Sequence, residues 1–137
     1  MLKYLLDTNI VIYVIKRKPL EALKVFNKNA NRMAISAITL AELIYDAEKS
    51  AHVDKNLNVI EDFVSHLEGL PYDINATQHY GQIKAFLERA GQPIGINDIH
   101  IAAHARSHGL TLVTNNMSEF KRVLNLALEN WVAASLP

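Results

Sequence analysis

The sequence predicts an α/β fold, a three-layer α/β/α sandwich around a mainly parallel sheet. Three observations carry that prediction. Apolar runs of strand length alternate with longer stretches whose apolar residues recur at helical spacing. A length of 137 residues with 50% hydrophobic side chains suits one compact core. No linker, internal repeat or low-complexity segment interrupts the pattern, so residues 1–137 read as one domain.

The elements follow in order. Residues 3–6 are a short, buried first strand, and residues 8–15 have helical potential despite their β-branched side chains. Pro19 suits the first turn of a second helix whose apolar positions are Leu20, Leu23, Val25 and Phe26. Residues 32–35 read as a second strand, followed by helices over about 40–50 and 53–68, the latter burying Leu57, Val59, Ile60, Phe63, Val64 and Leu67. A third strand is expected over 70–74, with Pro71 at its start, and a helix over 76–90 with Ile83, Phe86 and Leu87 on one face. Glycines and a proline make 91–95 a loop, and the helix over 98–108 stops at Gly109. Residues 110–113 form a fourth strand, 118–124 a short helix, and 126–128 a final strand.

Composition narrows the function. The absence of cysteine excludes disulfides, thiolate metal sites and a cysteine nucleophile. No apolar stretch approaches the ~20 residues that cross a bilayer, and the apolar segment of MLKYLLDTN is too short for a signal peptide. A cytoplasmic protein with no membrane contact is the simplest reading. Fourteen basic and fourteen acidic residues cancel, whereas a protein held to nucleic acid by phosphate neutralisation is usually basic. A nucleic-acid substrate would have to be gripped by local patches such as Lys16-Arg17-Lys18 and Lys49, or through bound cations.

The acids are placed for chemistry. Asp7 follows the first strand, Glu42 lies in the helix after the second, Asn116 follows the fourth, and Asp98 opens the helix feeding the fourth. Each has an ordinary structural explanation. Asp7 can cap a helix, Thr39 to Glu42 and Asn116 to Glu119 match capping boxes, and Asp98 can complement a helix dipole. Their joint position is harder to explain that way. Open parallel sheets bind ligands beyond the carboxyl ends of their strands, and three acids converging there repel one another unless a cation joins them. Magnesium or manganese prefers such oxygen ligands and can activate water and stabilise a phosphoryl transition state.

Four stretches resemble one family. Leu5-Leu6-Asp7-Thr8-Asn9, Ile35-Ser36-Ala37-Ile38-Thr39-Leu40-Ala41-Glu42-Leu43, Pro93-Ile94-Gly95-Ile96-Asn97-Asp98 running on through Ile101-Ala102-Ala103-His104-Ala105, and Leu112-Val113-Thr114-Asn115-Asn116 with Glu119-Phe120 are similar to the motifs of PIN-domain ribonucleases, in particular the VapC toxins. The likeness spans nearly the whole chain in order. It implies a Mg²⁺- or Mn²⁺-dependent endoribonuclease that hydrolyses structured RNA, foremost the anticodon loop of a tRNA. It also implies a VapB-type antitoxin that neutralises the enzyme, a homodimer, and a higher toxin–antitoxin assembly on operator DNA through the antitoxin.

Residue by residue, the resemblance puts Asp7, Glu42 and Asp98 on the family's acidic metal positions. Thr8 and Asn9 would orient Asp7 or the water. The fourth position is Asn116, which offers only a neutral oxygen, so Glu119 is the candidate to restore the charge and join the metal set. Two further departures are Asp46, expected to be glycine and lying one turn from Glu42 where like charges repel, and residues 122–126, where a glycine turn is expected. The apolar residues Ile10, Ile12, Tyr13, Val14, Ile15, Leu43, Ile44 and Tyr45 exceed what one small core needs and point to an interface for a second copy or the antitoxin tail. The tyrosines and Trp131 are expected in the core or at a partner interface and not as base-stacking platforms.

Rival functions have weaker support. His100, His104 and His108 form one helical stripe, as zinc-binding pairs do, but Ile101 stands where a metalloprotease needs glutamate. A haloacid-dehalogenase-type phosphatase resembles the first strand, yet Asn9 replaces its proton-donating acid. The alternative outside enzymology is a catalytically weak PIN-like module that binds RNA or antitoxin.

Overall fold

The structure, a computed structural model, describes residues 1–132; the last five residues of the expected 1–137 domain lie outside the described residues. Five strands form one sheet: β1 (Tyr4–Leu6), β2 (Met33–Ser36), β3 (Glu68–Leu70), β4 (Thr111–Val113) and β5 (Leu128–Glu129). Their order is β3-β2-β1-β4-β5, and every pairing is parallel. The helices are α1 (Thr8–Lys16), α2 (Leu20–Lys28), α3 (Ala37–Glu48), α4 (Val53–Val64), α5 (Ile74–Arg89), α6 (Ile96–His108) and α7 (Met117–Phe120).

Strand alternation builds the three layers. Tyr4 and Leu6 of β1, Met33 and Ile35 of β2, and Val113 of β4 face a core completed by α1, α3 and α4. Leu5, Ala34 and Leu112 point the other way, into a core completed by α5, α6 and Phe120. Because both faces are covered, β1 and β2 are buried at every position, which is why they read as continuous apolar runs. Tyr4 and Trp131 meet edge to face in the first core with centroids 5.3 Å apart.

Four boundaries differ from the sequence reading. Helix α4 ends at Val64 and not near Glu68, because Glu68 pairs with Ala34 to open β3. That strand lies on the sheet edge and is largely exposed, so it carries no apolar signature, and Leu67 merely extended the helical period. Pro71, lacking an N–H, follows the strand. Asp73 then caps α5 by accepting from Ala76 N–H at 3.1 Å, which makes Ile74 the first residue of a helix and not the last of a strand. Helix α3 starts at Ala37, capped by the Ser36 hydroxyl that accepts from Ile38 N–H at 3.0 Å. The Thr39–Glu42 capping box is therefore absent, and Thr39 is a buried residue within the helix. Helix α7 is only Met117–Phe120. Beyond it Asn125 adopts φ 61°, a left-handed conformation that asparagine tolerates, so the missing glycine costs little.

The expected apolar surplus is smaller than it looked. Ile10, Val14 and Leu43 are buried in the protein's own core, and Ile12, Tyr13 and Ile15 pack against it. Only Ile44 and Tyr45 of that set are exposed. No helix of the described residues is long and apolar enough to cross a membrane.

Candidate active site

Strand order reverses at β1, whose neighbours β2 and β4 lie on opposite sides. A parallel sheet opens a crevice beyond its carboxyl edge at such a point. Asp7 is the first residue past β1. Its N–H donates to Val113 O of β4 at 2.9 Å, so the sheet itself fixes the acid's position. The carboxylate is 4% exposed. Its Oδ1 accepts from Thr8 N–H at 2.8 Å and its Oδ2 accepts from the Thr114 hydroxyl at 2.8 Å. Asp7 thus caps α1 and faces the crevice at once; the two readings were not exclusive.

Glu42 reaches the same crevice from α3, where the Thr8 hydroxyl donates to its Oε1 at 2.9 Å. Thr8 serves two acids: its N–H donates to Asp7 and its hydroxyl to Glu42, a second contact the sequence did not indicate. Asp98 is the third residue of α6, in the first turn where the helix dipole favours an acid. Asp7, Thr8, Asn9, Glu42, Asp98 and Asn116 line one cleft of about 430 Å³, with Ile12, Tyr45, Asp46 and Asn97 on its walls.

At the expected fourth position the capping box does not form. Asn116 makes no side-chain cap bond. Its N–H donates to the Thr114 hydroxyl oxygen at 2.9 Å, and its Nδ2 donates to Glu119 Oε2 at 3.0 Å. Glu119 thus sits behind Asn116, next to the cleft and close enough to Asp98 to raise its pKa. Thr114 is the residue the sequence reading passed over. A threonine directly after an apolar strand at the switch edge was its only signal, and it ties Asp7 to Asn116.

The acids disturb one another. Burial foremost, then the charge of Asp7, then contact with Glu119 and the charges of Glu119 and Glu42, push Asp98 up to about 7. Asp7 is also raised, mainly by burial, against the opposing hydrogen bonds from Thr114 and Thr8. Among the described residues no three acids or imidazoles close on one point as a ready cage; the carboxylates line an open cleft. That arrangement suits a hard cation which keeps several waters and takes only one or two protein carboxylates. The donor set, all oxygen and crowded with negative charge, fits a divalent ion.

The crowding has a pH signature. Asp98 rises from an ordinary 3.8 to about 7 on folding, so between those values the folded protein holds a proton that the unfolded chain releases. Its contribution to stability is complete below about pH 4 and is lost as pH rises toward 7. In EDTA the melting temperature is expected to fall across that window more steeply for the parent chain than for Asp98→Asn. Magnesium at pH 7 is expected to recover the loss. Equal slopes for the two proteins would remove Asp98 from the charge cluster.

The histidine stripe is structural. His104 Nδ1 lies 2.7 Å from Ser36 Oγ, at the cap of α3. His100 Nδ1 lies 2.8 Å from Tyr72 Oη, and its ring stacks on Tyr80 at 4.2 Å. Both contacts use Nδ1 and tie the stripe into the fold, and among the described residues no three imidazoles or acids gather around it to hold a zinc ion. The basic run Lys16-Arg17-Lys18 ends α1, at the end opposite Asp7.

The PIN domain family model matches residues 4–125, which include every residue of the cleft. Ribonuclease VapC2 of Haemophilus influenzae is 61% identical over 132 residues, 96% of this chain and 100% of its own length. The chain belongs to the VapC ribonucleases of the PIN-domain family. Another VapC, the tRNA(fMet)-specific endonuclease of Shigella flexneri, is 54% identical over 96% of this chain and 99% of its own length. Among solved structures, the DNA-bound VapBC of Salmonella typhimurium superposes with a TM-score of 0.91 at 53% identity, covering 96% of this chain and 99% of that one. Nucleases of the PIN fold generally depend on a metal, and the VapC cleft described above has the donors for one.

Proposed function

We propose that this chain is the toxin of a type II toxin–antitoxin pair and cuts initiator tRNA within its anticodon loop. The observation that carries the reading is the acid cleft at the sheet's switch point. The choice of RNA is supported by the 54% identity to the tRNA(fMet)-specific endonuclease. Asp7, Glu42 and Asp98 would hold Mg²⁺ or Mn²⁺, and Glu119 would supply the charge that Asn116 lacks. When bound, the ion lowers the pKa of a coordinated water and offsets charge on the phosphate.

The chain's own residues set the geometry. Thr114 and the Thr8 N–H lock the Asp7 carboxylate, the Thr8 hydroxyl aims Glu42, and Asn116 holds Glu119. Asn9 stands at the rim, where it can contact the attacking water. The N-termini of α1 and α6 both open on the cleft; Thr8 N–H at the start of α1 is taken by Asp7, whereas α6 starts without a side-chain cap and its first N–H groups favour an anionic phosphate there. In the metal-free cleft Asp98 is raised to about 7, so a cation binding there would displace its proton.

The toxin acts in the cytoplasm as a homodimer of one-domain chains, and a VapB-type antitoxin silences it. The antitoxin tail lies in the groove of about 270 Å³ among α1, α3 and α4, lined by Ile12, Ile15, Leu43, Ala47, Val59 and Ile60. A tail arginine reaching the acids competes with the metal by charge. The assembly on operator DNA forms through the antitoxin, as the DNA-bound VapBC relative suggests. The test is to incubate the purified chain with initiator and elongator tRNAs in Mg²⁺, Mn²⁺ or EDTA. A single cut in the initiator anticodon loop, lost in EDTA, is expected. Cutting that persists in EDTA, or initiator tRNA left whole with either ion, overturns the reading.

A further inference from the structure

We infer that Tyr45 is a stacking platform for a nucleobase beside the scissile phosphate, which makes the cleft selective for unpaired RNA. The inference rests on the ribonuclease reading of the cleft. Tyr45 lies on α3 three residues after Glu42, hence on the same side of the helix. It lines the acid cleft, where it is the aromatic residue among the lining side chains, and it is 63% exposed. Tyrosines elsewhere in the protein have partners: Tyr4 packs on Trp131, while Tyr72 and Tyr80 pack on His100.

What holds the ring is ionic. Lys49 Nζ lies 4.7 Å from the Tyr45 ring centroid, and it also lies 3.5 Å from Asp46 Oδ1. Asp46, the residue expected to be glycine, therefore does not simply repel Glu42. It pairs with Lys49, whose Nζ lies over the ring, while Tyr45 keeps most of its surface open to solvent. A cation on one face of a tyrosine is compatible with stacking on the other.

Charge gives the reason such a platform is needed. The chain has no net positive charge and the cleft walls are acidic, so beyond the one phosphate at the cation the backbone gains little attraction. Stacking is uncharged and tolerates any base, which suits a site whose acids repel the backbone. Bases can reach an aromatic ring only where they are unpaired, as in a loop. A duplex keeps its bases stacked and out of reach.

The experiment uses the full chain carrying Asp7→Asn, which binds without cutting, and an RNA hairpin with 2-aminopurine in its loop. Binding is expected to quench the fluorophore. Tyr45→Ala should raise Kd about tenfold or more and abolish the quenching, Tyr45→Phe should preserve both, and all three proteins should melt alike because the side chain is exposed. A fully paired RNA of the same sequence should bind weakly throughout. If Tyr45→Ala binds and quenches as its parent does while the unmutated chain cuts the hairpin, the platform is wrong and the ribonuclease reading stands. If the unmutated chain neither binds nor cuts any RNA offered, both fall. If Tyr45→Ala instead converts a dimer to a monomer with RNA affinity unchanged, Tyr45 belongs to the interface between copies and the platform is again excluded.

Discussion

Replacing Asp7 by asparagine is expected to lower RNA cleavage by well over about a hundredfold, because even outer-shell partners of a metal cost 10–100-fold when removed. Asp7 is the acid nearest the sheet, fixed on both oxygens by Thr8 and Thr114. Asparagine keeps the size and one acceptor oxygen but removes the charge. The fold should survive. Burial already raises the pKa of Asp7, with Glu42 adding to the rise, so at pH 7 the charged form is a destabilising element in the metal-free protein. A neutral isostere is therefore expected to melt at the same temperature or slightly higher in EDTA, and to lose the gain that the parent shows on adding Mg²⁺. Cleavage kinetics and melting with and without metal check both halves. Cutting at the same bond within a few-fold of the parent rate would remove Asp7 from the centre.

The second large effect lies behind the cleft. Phe120 is 0% exposed and is among the largest fully buried side chains in the core formed by α5 and α6. It closes α7, whose four residues are far too few to be helical on their own merits. Tertiary packing holds this turn, and the turn carries Glu119. Phe120→Ala should cost about 3–5 kcal/mol, a large share of the ~5–15 kcal/mol that a domain has. Phe120→Leu, which nearly fills the site, should cost less than about 1.5 kcal/mol. The urea midpoint measures both. The alanine variant should also need more metal for half-maximal cleavage, because Glu119 loses its anchor. A loss below about 1 kcal/mol with an unchanged metal requirement would show that α7 is held by something other than Phe120.

Much of this was legible beforehand, for reasons that differ by residue. Buried central strands such as 4–6 announce themselves because both faces are covered and every side chain is apolar. Gly109 marks a helix end because it sits at φ 66°, where other residues are strained. Asp7, Glu42, Asp98 and Asn116 could be placed at one edge because strand–helix alternation fixes which end of each strand they follow. The edge strand β3 was misplaced because it has no second layer over it and no pattern to read. The start of α5 was misplaced because Pro71 and Asp73 act through missing and supplied hydrogen bonds, which apolar periodicity does not record.

The sequence by itself determined the alternation, the parallel α/β class, the acids and the family, since these depend on local pattern and on residue identity in order. Only the tertiary structure decided how the acids are held. Thr114 bonds Asp7 across 107 positions and Thr8 bonds Glu42 across 34, and no local rule links residues so far apart. It also decided that Glu119 pairs with the Asn116 side chain and not in a capping box, and that Lys49, paired with Asp46, lies over an exposed Tyr45 beside the acids. Hydrogen bonds and ion pairs between distant elements follow from the register of packed strands and helices, and that register exists only once the two cores have closed on the sheet.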